Sequence, residues 1–154
     1  MGRIHHIPPA AQRLMTTRAA YPAFVALQTR WSDNDEYGHM NNAAYYQLFD
    51  TAVSNWQQDN GLIIRGPNAT RFVVVENGCK YHRETGYPHP LQIGLRIPHI
   101  GRSSVRFDLG LFQDDQDTPC ATGFFAMVHV GDTGQSAPLP DPVRAIFQRL
   151  ATPA

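Results

Sequence analysis

The segment WSDNDEYGHMNN, residues 31–42, combines three acidic residues, one histidine and the pair Asn41-Asn42 within twelve positions. Side chains of these types bind metal ions, cap helices or transfer protons. No other part of the sequence concentrates so many such groups. The role of this segment decides most of what the sequence indicates about function, and three interpretations are open.

A metal site is the first interpretation. Asp33 and Asp35 occupy positions one and three of a calcium-loop pattern. The pattern fails at position five, which is Tyr37, and at position twelve, where Ala44 stands instead of the bidentate glutamate. The sequence therefore excludes an EF-hand. A site of another kind, with Asp33, Asp35 and His39 as ligands, has no second ligand cluster to support it, and we predict no metal.

Helix capping is the second interpretation. Residues 42–60 repeat apolar side chains at helical spacing, and Gly61 follows where a helix end favours positive φ. Asn41 or Asn42 could accept hydrogen bonds from the first free N–H groups of this helix. The acidic residues upstream would favour the positive end of the helix dipole. Capping needs one or two polar residues, however, so it does not by itself account for the segment.

A reaction centre at the helix N-terminus is the third interpretation. The unpaired N–H groups of a helix N-terminus can polarise a carbonyl or hold an oxyanion. Asp35, a few residues upstream, could act as a nucleophile or as a general base on water. A thioester suits this arrangement best, because a thiolate leaves with little acid assistance. The sequence contains no GxSxG motif, which argues against a serine acyl-enzyme.

Composition excludes several classes of protein. The chain has 154 residues, with 13 basic and 13 acidic residues and a formal net charge of zero. That balance argues against a nucleic-acid binder and a charged membrane-surface protein, and no apolar run reaches the roughly 18–20 residues of a membrane helix. Cys79 and Cys120 are predicted to be free thiols. We predict a cytoplasmic protein with a loose leader over residues 1–22 and one domain over residues 23–154.

Periodicity predicts one strand, a long helix, four strands and a short terminal helix. Alternation over residues 24–31 predicts the first strand, and the helix follows over residues 42–60. Short connections between the later strands predict antiparallel neighbours. Asp141-Pro142 indicates a capping residue followed by proline at the start of the last helix. The four later strand segments are RFVVVENGCKYHRE, LQIGLRIPHI, SSVRFDLGLFQ and CATGFFAMVHV.

These elements predict an α+β fold. One long helix laid across a curved antiparallel sheet of about five strands would cover the inner face of that sheet. The outer face and the sheet edges would still expose apolar side chains. We therefore expect the chain to form an oligomer.

The segment RWSDNDEYGHMNNAAYYQLFD, residues 30–50, resembles the signature D-x-D-x-x-G-H-[VM]-N-N-x-x-Y of hotdog-fold acyl-CoA thioesterases of the 4-hydroxybenzoyl-CoA thioesterase type. The later segment GLRIPHIGRSSVRFDLGLF resembles strands of this family and the turn between them. The resemblance covers roughly residues 24–131. It implies the hotdog fold, in which an antiparallel sheet wraps a long central helix, and it implies hydrolysis of an acyl-CoA.

The resemblance also implies roles for residues of the polar segment. Asp35 matches the family's catalytic carboxylate, and a backbone N–H near Asn41 and Asn42 matches the group that polarises the thioester carbonyl. His39 is assigned a supporting role in orienting the loop or the carboxylate. Asp33 is expected to anchor the loop through backbone or arginine contacts.

Further candidates lie outside the polar segment. Tyr45 could line the acyl pocket or belong to the core. Arg96, Arg102 and Arg106 could bind the phosphates of coenzyme A through their guanidinium groups, or form a solvated face. Glu76 is a further candidate carboxylate if its strand approaches the site of a neighbouring subunit.

The expected activity is therefore hydrolysis of an acyl-CoA to a carboxylic acid and free coenzyme A, by a homodimer or homotetramer that needs no cofactor. Two alternatives are open. One is an acyl-thioester hydratase or dehydratase, in which His39 and Asp35 would share the proton transfer. The other is a non-catalytic acyl-CoA binding protein. The sequence does not specify the acyl group.

Overall fold

The computed structural model describes residues 16–152. Within that range the chain forms five strands and two α-helices. The strands are β1 (Ala23–Leu27), β2 (Arg71–Tyr81), β3 (Leu91–Ile100), β4 (Ser104–Gln113) and β5 (Ala121–Val130), and the helices are α1 (Asn42–Asp59) and α2 (Asp141–Gln148). No helix in the described range is long and apolar enough to cross a membrane.

All five strands form one antiparallel sheet in the order β1-β3-β4-β5-β2. The strands β3, β4 and β5 are consecutive neighbours, as their short connections predicted. The same expectation is wrong for β2 and β3, because β2 pairs with β5 at one edge of the sheet. Residues 82–90, which we name the crossing loop, therefore carry the chain across one end of the sheet from β2 to β3.

The helix α1 packs against the inner face of the sheet and forms the core with it. Alternate residues of β3 and β4 face α1 and are buried. Each large apolar side chain buried in this way contributes roughly 1.5–3 kcal/mol. Cys79 and Cys120 are free thiols, as predicted. The main side chains of the core are Phe49, Ala52, Val53 and Trp56 of α1, Leu91, Ile93, Leu95 and Ile97 of β3, and Val105, Phe107, Leu109 and Leu111 of β4.

The bounds of α1 agree with the predicted helix. Asn41 is the N-cap, and its side-chain oxygen accepts from the backbone N–H of Ala43 at 3.0 Å. Beyond the last helical residue, Gly61 adopts a φ of +91°, which residues with a side chain rarely adopt. Of the two asparagines considered for capping, Asn41 is the cap and Asn42 is the first helical residue.

Two element ends differ from the prediction. The strand β1 is shorter than predicted, and Trp31–Asp33 forms a 3-10 turn, because the Asp33 carboxylate accepts from the backbone N–H of Arg30 at 2.8 Å. The assignment of Asp141 as the capping residue of the last helix is also wrong. Pro140 occupies the cap position, since its ψ of 143° has the extended value that a cap requires.

The described end of the predicted leader, residues 16–22, lies on the outer face of the sheet. A 3-10 turn over Arg18–Ala20 is followed by Tyr21, which is buried. Its ring covers Gly94 and Gly110, where an added Cβ would come within 2.7 Å of a Tyr21 atom. The rest of the predicted leader, residues 1–15, lies outside the described residues.

Candidate active site

Asp33 fixes the loop that carries the candidate acids, residues 33–41, which we name the Asp35 loop. Its Oδ1 accepts from the guanidinium of Arg30 at 2.9 Å, and its Oδ2 accepts from the backbone N–H of Arg30 at 2.8 Å. The Asp33 carbonyl accepts from the N–H of Asn41 at 2.8 Å, which ties the start of the loop to the helix cap. The hydrogen bonds from Arg30 lower the pKa of the Asp33 carboxyl group. These contacts agree with the predicted anchoring role.

Asp35 is half-buried, and one of its carboxylate oxygens holds the turn in which it lies. Oδ1 accepts from the backbone N–H groups of Tyr37 at 2.8 Å and His39 at 3.2 Å. The turn also contains Gly38, with a φ of +81°. Oδ2 has no hydrogen-bond donor among residues 16–152. The carboxylate is therefore fixed by one oxygen while the other is available to water or substrate.

The crossing loop packs on the Asp35 loop and holds it in place. The backbone N–H of Met40 donates to the carbonyl of Thr85 at 2.8 Å. The Asn34 side chain accepts from the Tyr87 N–H at 3.1 Å and donates to the Tyr87 carbonyl at 3.3 Å. Gly86 permits this approach, since an added Cβ would come 2.5 Å from Oδ1 of Asn34. Backbone and amide bonds thus join two loops that are distant in sequence.

His39 contacts a second carboxylate, which the crossing loop supplies. Its Nε2 lies 3.1 Å from Oε2 of Glu84, and both side chains are substantially exposed. The hydrogen bonds between His39 and Asp35 use the His39 backbone: its N–H donates to Oδ1 of Asp35, and its carbonyl accepts from the Asp35 N–H at 2.6 Å. The His39 ring therefore faces Glu84, and its backbone orients Asp35.

The N-terminus of α1 opens into a cavity of about 570 Å³. Asn42 lines this cavity, and its backbone N–H has no acceptor within the described chain. The following N–H groups are occupied, because the side chain and the carbonyl of Asn41 accept from Ala43 and Ala44. A helix N-terminus of this kind favours negative charge. The cavity is lined by Asp35, Tyr37, His39, Met40, Asn42, Tyr45, Tyr81, His82, Arg83 and Glu84.

Two tyrosines form an aromatic wall of the cavity. The rings of Tyr45 and Tyr81 meet edge to face, with centroids 4.8 Å apart and planes at 88°. Burial raises the pKa of Tyr45 and the pKa of Tyr81 to about 12 in each case. Both phenols therefore stay neutral near pH 7.

The structure brings most of the predicted site residues together. Asp35, His39, Asn42 and Tyr45 line one cavity, and Asn41 supports it as the helix cap.

Arg102 and Arg106 do not line this cavity. Arg106 lies on the outer face of the sheet, with its Nε 2.9 Å from Oδ1 of Asp108. Arg102 is exposed in the turn between β3 and β4, and Glu76 is exposed on β2. Their assignment to substrate binding or catalysis stays a prediction.

Several residues of the cavity were missed by reading the sequence. Tyr81, His82, Arg83 and Glu84 follow one another where β2 ends, and all four line the cavity. The run KYHRE, residues 80–84, carries an available signal, because five consecutive polar or ionisable residues stand where β2 ends. Burial, aided by nearby Lys80 and Arg83, lowers the pKa of His82. Across residues 16–152, no three His, Cys, Asp or Glu side chains form a metal-binding group.

Solved structures of other proteins share this architecture. The PA5185 protein of Pseudomonas aeruginosa strain PAO1 is 36% identical over 90% of this chain and 97% of that chain, with a TM-score of 0.85. A thioesterase of Thermus thermophilus, solved with coenzyme A and zinc, is 26% identical over 85% of this chain and 95% of that chain, with a TM-score of 0.70. The predicted hotdog fold, a long helix with a five-stranded antiparallel sheet, is confirmed.

Sequence comparison gives the same relationship. The protein YsmA of Bacillus subtilis strain 168, described as uncharacterised, is 27% identical over 114 residues, which are 73% of this chain and 76% of that protein. The model of the thioesterase-like superfamily matches residues 29–147, a range that includes the Asp35 loop, α1 and β2 to β5. The chain belongs to the thioesterase-like superfamily.

Proposed function

We propose that this protein is an acyl-CoA thioesterase of the 4-hydroxybenzoyl-CoA thioesterase type. It hydrolyses an acyl-CoA to a carboxylic acid and free coenzyme A. One observation carries the proposal: the Asp35 carboxylate and the N-terminus of α1, with an Asn42 N–H that has no acceptor in the described chain, line the same cavity.

The two groups have complementary tasks in thioester hydrolysis. The Asn42 N–H donates to the thioester oxygen, and the helix dipole stabilises the negative charge that develops there. In one route, Oδ2 of Asp35 takes a proton from a water molecule, and the oxygen of that water attacks the carbonyl carbon. In the other route, Oδ2 attacks the carbonyl carbon directly and forms an anhydride, which water then cleaves. In both routes the C–S bond breaks and coenzyme A leaves as the thiolate.

The hydrogen bonds of the Asp35 loop support this role for Asp35. Two backbone N–H groups hold Oδ1, so the carboxylate does not need to be ordered when substrate arrives. The bonds to the crossing loop hold the backbone that supplies those donors. Coenzyme A bound to the similar Thermus thioesterase supports acyl-CoA as the substrate class.

The test is thiol release from a panel of acyl-CoAs that includes 4-hydroxybenzoyl-CoA and aliphatic chains of several lengths. Asp35→Asn and Asp35→Ala are expected to lower kcat/KM at least about a hundredfold, because the base or nucleophile is lost. Glu36→Gln is the matched control, since Glu36 is the adjacent carboxylate in the same loop and is exposed. Near-full activity in the Asp35 variants, or no thiol release from any substrate by the wild type, would contradict the proposal.

The contact between His39 and Glu84 favours a second candidate function, which the same substrate panel can test. A histidine paired with a carboxylate can move a proton next to a thioester carbonyl, as a hydratase or dehydratase requires. Enoyl-CoA is therefore included in the panel. Hydration of the enoyl group without thiol release would assign the protein to that reaction, and saturable acyl-CoA binding with neither reaction would assign it to the non-catalytic alternative.

A further inference from the structure

A second cavity, of about 620 Å³, lies on the outer face of the sheet. We name it the outer groove. Its main side chains are Lys80 of β2, Arg96 of β3, Arg106 and Asp108 of β4 and Phe124 of β5. These residues alternate along their strands with side chains that face α1, so the outer groove and the core are on opposite sides of the sheet.

The outer groove has an excess of positive charge. Asp108 is shared by two guanidinium groups, with Nε of Arg106 at 2.9 Å and an NH2 nitrogen of Arg96 at 3.4 Å. One carboxylate therefore faces two arginines, and Lys80 adds a third cation. Guanidinium groups held in this way retain several N–H donors for the oxygens of a phosphate.

Aromatic rings hold the two guanidinium groups in place. The Arg106 guanidinium lies 4.1 Å from the centre of the Phe124 ring, and the Arg96 guanidinium lies 5.4 Å from the centre of the Tyr21 ring. Phe124 lies over Gly78, where an added Cβ would come 2.8 Å from its ring. The outer groove thus offers the flat, exposed guanidinium of Arg106 beside fixed cations, which together suit a planar base that carries phosphate.

The outer groove is next to the cavity of Asp35. His82 lines both cavities, and its Nε2 lies 2.9 Å from Oγ1 of Thr122, which also lines the outer groove. His82 lies four positions after Gly78, which lines the groove, and four residue steps span about 13 Å along an extended chain. A long, thin ligand could therefore occupy both cavities by passing over His82.

We infer that the outer groove binds the phosphorylated adenosine end of coenzyme A, while the pantetheine arm passes His82 and delivers the thioester to Asp35. This inference rests on the proposed thioesterase activity and gives that activity its nucleotide site. The guanidinium groups of Arg96 and Arg106 and the ammonium of Lys80 bind the phosphates. The adenine stacks on the exposed guanidinium of Arg106, which itself lies over the Phe124 ring.

The test compares two substrates with the same acyl group, one an acyl-CoA and the other an acyl N-acetylcysteamine thioester, which lacks the nucleotide. Lys80→Ala is expected to raise KM for the acyl-CoA about five- to tenfold, to leave its kcat within twofold, and to leave kcat/KM for the short thioester within twofold. Lys80→Arg should restore most of the loss. Arg71→Ala is the control for net charge, because Arg71 is an exposed cation of β2 outside the groove.

Binding without turnover gives an independent measurement. Adenosine 3′,5′-bisphosphate should bind the wild-type protein in calorimetry and bind Lys80→Ala at least about fivefold more weakly. Inorganic phosphate at equal concentration distinguishes a nucleotide site from a general anion site, and equal binding of the two would overturn the assignment to adenosine.

The outcomes separate this inference from the proposed function. If Lys80→Ala cleaves both thioesters and its KM for acyl-CoA is unchanged, the outer groove is not the nucleotide site, and the proposed thioesterase activity stands. Cleavage of neither would overturn the thioesterase, and the calorimetric result would then decide the groove alone. Equal losses on both substrates would also overturn the groove, since the short thioester does not reach it.

Discussion

Asp33 and Asp35 stand two positions apart in one loop, and their surroundings give them different tasks. Both oxygens of Asp33 accept from Arg30, so this carboxylate has a structural task. Asp35, which lines the cavity, uses Oδ1 to hold its own turn and leaves Oδ2 without a donor among residues 16–152. The distinction depends on which donors are nearby and not on the residue type. A reaction at Asp35 therefore relies on Asp33 to keep the loop in place.

The lowered pKa of Asp33 gives a prediction about stability and pH. Because the folded pKa lies below the unfolded value of about 3.9, the stabilisation is complete at neutral pH and is lost as the pH falls below about 4 towards the folded pKa. Asp33→Asn should lower the free energy of unfolding by about 1 kcal/mol at pH 7, because its ion pair with the largely exposed Arg30 is lost. The difference from the wild type should shrink in urea unfolding at pH 3.

Glu36→Gln is the control for this experiment, since Glu36 is exposed in the same loop. It should leave the free energy of unfolding unchanged at both pH values. A loss in Asp33→Asn that is equal at pH 7 and pH 3 would show that the charge of Asp33 is not what stabilises the loop.

At the scale of secondary structure, the elements that depend on local sequence could be predicted, and the second wall of the cavity could not. Asn41 and Gly61 mark the ends of α1 through their own capping and backbone preferences. The position of Glu84 beside His39 depends instead on the pairing of β2 with β5, which brings the crossing loop back to the Asp35 loop. No local preference in KYHRE specifies that pairing. The sequence therefore predicted Asp35 and the helix start but missed the residues that face them.

The close contact at Gly86 predicts that the two loops act as one unit. In Gly86→Ala the new methyl group would come 2.5 Å from Oδ1 of Asn34 and 3.1 Å from the backbone nitrogen of Met40. The loops must then separate, which should cost about 1–3 kcal/mol in the free energy of unfolding. Because the Asp35 loop shifts with them, kcat/KM should fall at least about tenfold.

Gly131→Ala is the matched control for the loop contact. A methyl group there would meet the Cβ of Ala137 at 3.5 Å, an ordinary contact. This variant should keep wild-type thiol release and lose no more than about 0.5 kcal/mol of stability. If Gly86→Ala behaved like Gly131→Ala, the crossing loop would not be what holds Asp35 in position.

At the scale of the whole molecule, the strand β2 and the residue after it line both cavities, and β2 is also an edge strand of the sheet. Lys80 and Tyr81 of β2 and the following His82 line the outer groove, the Asp35 cavity, or both. The same strand lies at the end of the sheet and pairs with β5 on one side only within the described chain. A partner bound along β2 would therefore stand beside both proposed parts of the acyl-CoA site. The unpaired side of β2 is a physical reason to expect the oligomer that the sequence predicted.

The exposed valines of β2 give the last prediction. Val73, Val74 and Val75 are 46%, 47% and 62% exposed, and a long apolar edge of this kind invites pairing with another strand. The wild type is expected to be a dimer or tetramer in sedimentation and light scattering. Val75→Lys should weaken association at least about tenfold, because pairing would bury an ammonium group at the edge.

Ile63→Lys is the control for this edge, since Ile63 is 55% exposed and lies outside the strands. It changes the same kind of side chain to the same charge and should leave association unchanged. Circular dichroism establishes that Val75→Lys is folded at the concentrations used. A monomeric wild type, or equal association of Val75→Lys and Ile63→Lys, would exclude β2 as the interface. Thiol release by a monomeric Val75→Lys would show that one chain holds a complete site.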